Sequence, residues 1–370
     1  MKPYKFNMYL TLSLLLSTLT TQAQYKTQIR MPKDRNAPGK VLDVPKIDKI
    51  TYLSSKKQAY IFLQGGGNTA YAFNPNNGKF RQLNSFNNAS NIKILLANSG
   101  INGIFTFKKN RTDYCYNPTN GRVFALPQPA SVFDGVHLLS VKYLKTGGKP
   151  NYENGLLSYI DVNKGPKESN LLLHSALNKA VNSSAKYKSS NAIIKANMVG
   201  SIIRAGNGYM ISFLHGKAGD KVYTRSLIAW MRISKMGNRL QIAQMKIIAK
   251  VNSIFSTSMQ HYRGKTYVTE SRKNKVHGTY VFDRNGNQVG FHSKKRLIDL
   301  VREKKVPTAG KYVSLPGGKI IYNLSQNRVE NGQQYQINGQ AYLFSVKERS
   351  YPQGQQSKLK PYWFLRADKR

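Results

Sequence analysis

Three consecutive residues have the side chains for acid–base chemistry on a sugar: His261, Tyr262 and Arg263, just before the strand-like run 265–268. A lyase that cleaves an acidic polysaccharide needs a base such as Tyr or His. It also needs a cation that neutralises the uronate carboxylate, so that the adjacent proton can leave. Ordinary loop residues at the start of a strand would give the same triplet, so both interpretations stay open.

The sequence contains no other recognisable catalytic or metal-binding motif. The chain has 16 Asp and Glu residues and 6 His, without a spaced carboxylate pair for glycoside hydrolysis or a His or Cys cluster for a transition metal. Asp283-x-Asn285-x-Asn287 resembles the start of a calcium loop, but Gln288 and Lys294 stand where that loop requires Gly and Glu. No nucleophile elbow or phosphate-binding loop occurs. The sequence therefore predicts no metal and no cofactor.

Charge is the outstanding feature of the composition: 58 Lys and Arg against 16 Asp and Glu, a net charge of +42. Pairing within the chain cannot neutralise this excess, which attracts polyanions over a screening length of about 10 Å. The cations form groups on expected turns and helices, where side chains reach solvent. We predict that the polyanion-binding residues are Lys108, Lys109, Arg111, Arg272, Lys273, Lys275, Lys294, Lys295, Arg296, Lys304 and Lys305. An unspecialised basic surface is the alternative.

The elements that would position these residues are strands joined by a recurring turn. The stretch FNPNNGKF begins at Phe73, and YNPTNGRVF begins at Tyr116, 43 residues later. Each follows an alternating run and precedes a short strand, which predicts a hairpin whose Asn-Gly supplies positive φ values. Weaker strand–turn units lie near 157–165, 228–242, 279–291 and 341–349. A period of about 40 to 50 residues with several short strands is typical of propeller blades.

The sequence motif of this hairpin is an aromatic residue followed by Asn-Pro-x-x-Gly and then Lys or Arg. This motif resembles the blades of kelch-like and related bacterial β-propellers. Gly65-Gly66-Gly67 before Tyr71 is similar to the paired glycines of kelch blades, whose Tyr and Trp pattern is absent. The resemblance implies an all-β fold, a β-propeller of about six blades, or seven. Helical spacing predicts short helical insertions within 171–181 and 294–305. A β-sandwich or two smaller β domains is the alternative.

The start of the chain predicts export. Lys2 and Lys5 precede an apolar run, and a small-x-small site ends at Ala23, so residues 1–23 are predicted to be a signal peptide cleaved after Ala23. The run is shorter than the roughly 20 residues of a transmembrane helix, although an uncleaved anchor is the alternative. We expect a secreted or periplasmic protein without a transmembrane segment in its mature chain. The single cysteine, Cys115, excludes an intramolecular disulfide and is expected to pack in the core.

These observations predict an exported basic β-propeller that binds an anionic polymer without catalysis. The polymer would be an acidic glycan, lipopolysaccharide or extracellular nucleic acid. One alternative is a propeller polysaccharide lyase acting on a uronate-containing glycan, with His261, Tyr262 and Arg263 at its centre. Another is a scaffold for an acidic protein. The expected domains are an N-terminal extension 24–46, a propeller 47–350, and a basic C-terminal segment 351–370 that could close the ring.

Overall fold

The chain is built almost entirely from short antiparallel strands. The computed structural model describes residues 24–29, 45–65, 68–97, 101–187, 194–217, 225–237, 239–272, 275–303, 313–314, 320–321, 332–348 and 363–370. The predicted signal peptide lies outside these residues. In chain order the strands are β1 (Gln24–Gln28), β2 (Lys46–Leu53), β3 (Gln58–Gln64), β4 (Thr69–Asn74), β5 (Lys79–Gln82), β6 (Ser90–Ala97), β7 (Asn102–Lys109), β8 (Thr112–Asn117), β9 (Arg122–Leu126), β10 (Val132–Phe133), β11 (His137–Thr146), β12 (Lys149–Asp161), β13 (Glu168–Leu171), β14 (Ile194–Ala205), β15 (Gly208–Lys217), β16 (Arg225–Met236), β17 (Arg239–Val251), β18 (Thr257–Tyr262), β19 (Lys265–Arg272), β20 (Lys275–Phe282), β21 (Gln288–Ser293), β22 (Val313–Ser314), β23 (Ile320–Ile321), β24 (Gly332–Ile337), β25 (Gln340–Glu348) and β26 (Trp363–Lys369).

Six four-stranded sheets form the blades of a propeller. Blades 1 to 5 are the consecutive strands β2–β5, β6–β9, β10–β13, β14–β17 and β18–β21, and blade 6 has the order β24, β25, β26, β1. First strands of neighbouring blades touch, β2 with β24, β6 with β10, β10 with β14 and β14 with β18, so they surround a common axis. The predicted six-bladed all-β propeller is confirmed. Two α-helices occur among the described residues, α1 (Leu173–Ser183) and α2 (Leu297–Arg302), and both are insertions between blades.

Each blade buries both of its faces against its neighbours, as β3 illustrates. Its sequence QAYIFLQ is apolar without alternation, because successive side chains face different blades. Ile61 and Leu63 pack in a cluster with Tyr342 and Phe344 of blade 6. Tyr60 and Phe62 face blade 2 instead, in a cluster whose aromatic rings meet edge to face. A sheet with two buried faces explains how a chain without disulfides obtains a large core.

The ring is closed by strands from the two ends of the chain. β1 forms the fourth strand of blade 6, and its Thr27 pairs with Leu365 of β26. Beyond this strand the Ile29 amide donates to the Trp363 carbonyl at 2.8 Å. Strands from both ends of the chain thus complete the sheet of blade 6, whose side chains pack against blade 1.

The two Asn-Gly turns have the same hydrogen bonds. In blade 1 the Gly78 amide donates to the Asn74 carbonyl at 2.8 Å, and Gly121 and Asn117 repeat this bond at 2.8 Å in blade 2. Only the two glycines have positive φ, 67° and 71°. The preceding Asn77 acts through its side chain, which accepts the Lys79 amide at 3.0 Å. The expectation that Asn and Gly both supply positive φ is therefore corrected: a four-residue turn replaces the two-residue one.

Candidate anion-binding face

The connections between strands emerge at two opposite ends of the propeller. Because antiparallel strands alternate in direction, the connections from one blade to the next share an end with the hairpins that join second and third strands. We call this end the inter-blade face. Its two kinds of connection touch in blade 1, where the Asn88 amide donates to the Asn68 carbonyl at 3.1 Å. The hairpins between first and second and between third and fourth strands, including both Asn-Gly turns, form the opposite end, which we call the Asn-Gly face.

The predicted polyanion-binding residues that the structure describes lie on segments of the inter-blade face. Lys108, Lys109 and Arg111 are on the β7–β8 hairpin, and Lys275 begins β20 after the β19–β20 hairpin. Lys294, Lys295 and Arg296 follow β21 on the way to blade 6. Lys273, Lys304 and Lys305 lie outside the described residues, as does the side chain of Arg272. Groups that are far apart in the sequence thus share one end of the molecule.

Most of these cations have no acidic partner among the described residues. Lys295 pairs with Glu303, and the Arg296 amide donates to the Asp299 carboxylate at 2.9 Å at the start of α2. Lys108, Lys109, Arg111, Lys275 and Lys294 form no ion pair with any described carboxylate. Arg111, Lys275 and Lys294 are exposed, and Lys108 and Lys109 are half-buried. Their charge is therefore available to a ligand.

The Asn-Gly face is also basic, but several of its cations hold neighbouring blades together. The Lys56 ammonium of blade 1 donates to the Thr119 carbonyl of blade 2 at 2.8 Å. Arg122 of blade 2 donates to the Asn163 carbonyl of blade 3 at 2.6 Å, and Lys246 of blade 4 donates to the Asn287 side chain of blade 5 at 3.0 Å. These three cations have structural partners, as Lys295 does on the inter-blade face, whereas the described structure gives the side chains of Lys108, Lys109, Arg111, Lys275 and Lys294 none.

An exposed aromatic residue adds a second kind of contact to the inter-blade face. Phe255 lies in the one-turn helix Ile254–Ser256 between blades 4 and 5 and is 75% exposed. Leu172, just before α1, is also largely exposed. An exposed ring among cations can stack on a base or on the apolar face of a sugar.

The triplet His261, Tyr262 and Arg263 does not converge on one point. Consecutive residues of β18 face opposite sides of the sheet: the His261 ring is 2.9 Å from the Thr266 hydroxyl, while Tyr262 packs against the cluster that includes α2. Arg263 turns back over the Tyr262 ring, 5.8 Å from its centre. Burial and then the nearby Arg204 lower the pKa of His261, which keeps the ring neutral.

A second polar group occurs where blades 3 and 4 meet on the Asn-Gly face. Asp134 accepts the Tyr209 hydroxyl at 3.2 Å and lies 3.2 Å from the His137 ring. Burial alone would raise the pKa of Asp134, but hydrogen bonds from the side chain and amide of His137 and from the Val136 amide hold that pKa below its usual value. The carboxylate is thus a fixed acceptor that orders this turn. Among the described residues, no three His, Cys, Asp or Glu side chains gather to hold a metal ion.

No protein-family model matches the chain, and no curated protein matches it. Similar solved structures include TolB from Acinetobacter baumannii, 12% identical over 65% of this chain and 53% of that chain, with a TM-score of 0.34. An oligogalacturonate lyase in complex with manganese is 11% identical over 94% of this chain and 98% of that chain, with a TM-score of 0.40. The chain spans about half the length of the TolB chain. These likenesses carry no argument about function; the six sheets themselves place the chain among the β-propellers.

Proposed function

We propose that this protein is an exported β-propeller that binds an anionic polymer across its inter-blade face without cleaving it. The observation that supports this proposal is that cations from blade 2, blade 5 and the connection to blade 6 lie on segments of one face, most of them without acidic partners among the described residues. Acidic glycans, lipopolysaccharide and extracellular nucleic acid all present closely repeated anionic groups that would fit such a surface.

The physical basis of binding would be the release of counterions from the polymer. Each cation that neutralises a phosphate or sulfate frees a condensed counterion, so affinity falls steeply as salt rises. Exposed Phe255 would add sequence-tolerant stacking of about 1 to 3 kcal/mol on a base. Because the chain carries a net charge of +42, attraction also acts at a distance and speeds the encounter with a polyanion.

Export is part of the proposal because the first 23 residues have the pattern of a signal peptide. In the part of the chain that is described, no helix has the length and apolar character needed to cross a membrane. A protein outside the cytoplasm would meet cell-surface and extracellular polyanions first. The domain boundaries given above belong to the same proposal, except that β1 and β26 of the two flanking segments are strands of blade 6.

The polysaccharide lyase is a less favoured function on geometric grounds. A lyase needs its base and its neutralising cation on the same stretch of substrate. His261 and Tyr262 leave β18 on opposite sides, so the three residues cannot act as one centre, and only Tyr262 and Arg263 lie together. A lyase would produce an unsaturated sugar that absorbs in the ultraviolet, and Tyr262→Phe or His261→Ala would abolish that product.

The test of the proposed function is retention on immobilised heparin at low ionic strength, followed by a salt gradient and by chain-length analysis of heparin and polygalacturonate after incubation. We expect retention, release at moderate salt and unchanged polymers. Flow-through at low salt would contradict polymer binding, and shortened chains would contradict the absence of catalysis. Capture of an acidic protein in salt that strips the polymers would favour the scaffold instead.

A further inference from the structure

A cleft with a volume of about 480 Å³ lies at the inter-blade end of blade 4. It is bordered by the ends of β15 and β17, the start of β16 and the residues after α1. The side chains that define its chemistry are Lys186, Tyr187, His215, Arg225, Lys250 and Tyr280. Small-molecule sites commonly measure about 300 to 1,000 Å³, so the cleft has room for a sugar ring with a substituent.

Strand register places cations on one side of blade 4. Arg225 of β16 is paired with His215 of β15, and Lys250 of β17 is paired with Leu227, two residues beyond Arg225. Paired residues, and residues two apart, share a face of a sheet. Lys186 reaches the cleft from the connection after α1, and Lys186, Arg225 and Lys250 are all exposed. Among the described residues that line the cleft, none is acidic.

His215 is the feature that distinguishes this cleft from an ordinary basic surface. Its side chain is deeply buried, with the residue 4% exposed, and its Nδ1 atom has no hydrogen-bond partner within the described structure. An unsatisfied buried polar atom destabilises the fold, and a hydrogen bond with a ligand would remove that cost. Burial, and then the charges of Arg225 and Lys250, lower the pKa of His215 to about 4. The ring is therefore neutral, and its Nδ1–H tautomer can donate to an oxyanion.

We propose that this cleft binds one phosphate or sulfate ester carried on a sugar. The Arg225 guanidinium and the Lys250 and Lys186 ammonium groups are donors suited to a tetrahedral oxyanion with three free oxygens. Nδ1 of His215 supplies a further donor at the buried end. Tyr187 and Tyr280 give the walls aromatic surface on which a sugar ring can pack. This goes beyond polymer binding, because the cleft would take a small anionic sugar even if the inter-blade face held no polymer.

The test is calorimetric titration of the purified chain with glucose 6-phosphate, glucose 6-sulfate, inorganic phosphate and glucose. The double variant Arg225→Gln/Lys250→Gln is compared with Lys235→Gln/Arg239→Gln, which removes the same charges from the Asn-Gly end of the same blade. We expect both esters to bind, inorganic phosphate to bind more weakly and glucose not to bind. The first variant should lose about tenfold or more in affinity, since charged hydrogen bonds are removed, and the second should bind like the unaltered chain. NMR should show that the ester raises the pKa of His215.

Several results would overturn the proposal. One is the absence of ester binding at millimolar concentration in the unaltered chain. Another is an equal loss of affinity in both variants, which would reduce the effect to net charge. If inorganic phosphate bound as tightly as the esters, the sugar would contribute nothing to binding, which contradicts the proposed sugar ester. Retention of Arg225→Gln/Lys250→Gln on heparin is recorded in parallel, because that readout reports polymer binding separately.

Discussion

The ring of Tyr25 packs directly on Gly78, which joins the first described strand to the Asn-Gly turn of blade 1. Tyr25 belongs to blade 6 and Gly78 to blade 1, so this contact lies where the propeller closes. Its ring is also 5.7 Å from that of Phe73. In the matching turn of blade 2 no described residue takes this place, and the space at the Cβ position of Gly121 is open. The same turn is thus a closing contact in one blade and an ordinary surface hairpin in the next.

Replacing Gly78 by Ala should destabilise the fold much more than replacing Gly121. Both glycines have positive φ, so each Ala pays a conformational penalty of roughly 1 to 2 kcal/mol. At Gly78 the added Cβ would also overlap the Tyr25 ring, which must move from its place beside Phe73. We expect Gly78→Ala to lower the free energy of unfolding by at least about 1 kcal/mol more than Gly121→Ala, measured by chemical denaturation.

A double-mutant cycle isolates the Tyr25 contact from backbone strain. In a Tyr25→Ala background, the effect of Gly78→Ala should shrink to that of Gly121→Ala, because nothing is left to overlap. An undiminished effect would show that the Tyr25 ring does not pack there.

The buried His215 should make the protein less stable in acid. Its pKa is about 4 in the folded protein, against about 6.5 in the unfolded chain. As the pH falls below about 6.5, His215 is protonated in the unfolded chain but stays neutral in the folded protein, so the free energy of unfolding decreases. Below about pH 4 the residue is protonated in both states, and the free energy of unfolding no longer depends on it. The full contribution is about 3 kcal/mol.

His215→Gln removes this titration. Denaturation at pH 7, 5 and 4 should therefore give a smaller loss of stability in the variant than in the unaltered chain, while carboxylates contribute equally to both. Parallel pH profiles for the two proteins would show that the imidazole is not held neutral in the fold.

We expect Arg111 to strengthen polyanion binding while its strained backbone lowers the stability of the fold. It occupies the second position of a two-residue turn after Asn110, with φ values of 49° and 66°, where Gly is the favoured residue. Arg111→Gly relieves the strain, so we expect stability to be unchanged or higher by up to about 1 kcal/mol. The salt concentration that releases the protein from heparin should nevertheless fall. A clear loss of stability, or unchanged release, would argue against this role of Arg111.

The sequence predicted the propeller because five of its strand–turn units are the third and fourth strands of a blade. The turn from Asn74 to Gly78 recurs from Asn117 to Gly121 with the same hydrogen bonds. In blade 6 the equivalent turn does not exist, because β1 supplies the fourth strand from the other end of the chain. The unit predicted near residue 341 is instead the second strand of that blade, β25. A search for repeated turns therefore could not identify blade 6, whose third and fourth strands are not joined by a turn.

The charged groups share one face because successive strands alternate in direction. The sequence predicts this only after every strand has been assigned. The cleft at His215 has no signal in the sequence. Arg225 and Lys250 lie in different strands without a common motif, and only the register of β15, β16 and β17 brings them to one side. The isolated position of His215 among apolar residues of β15 could equally have indicated a satisfied core histidine.

The most direct test of the inter-blade face compares two variants of equal net charge. One carries Lys108→Gln, Lys109→Gln, Arg111→Gln and Lys294→Gln, and the other carries Lys79→Gln, Lys167→Gln, Lys235→Gln and Lys265→Gln on the Asn-Gly face. The quantity measured is the slope of log K against log salt for a duplex DNA oligonucleotide, used as a uniform polyanion. Removing four contacts should reduce the magnitude of the slope by about 3 to 4 in the first variant and by less than about 1 in the second. Equal changes in both variants would contradict binding through the inter-blade face.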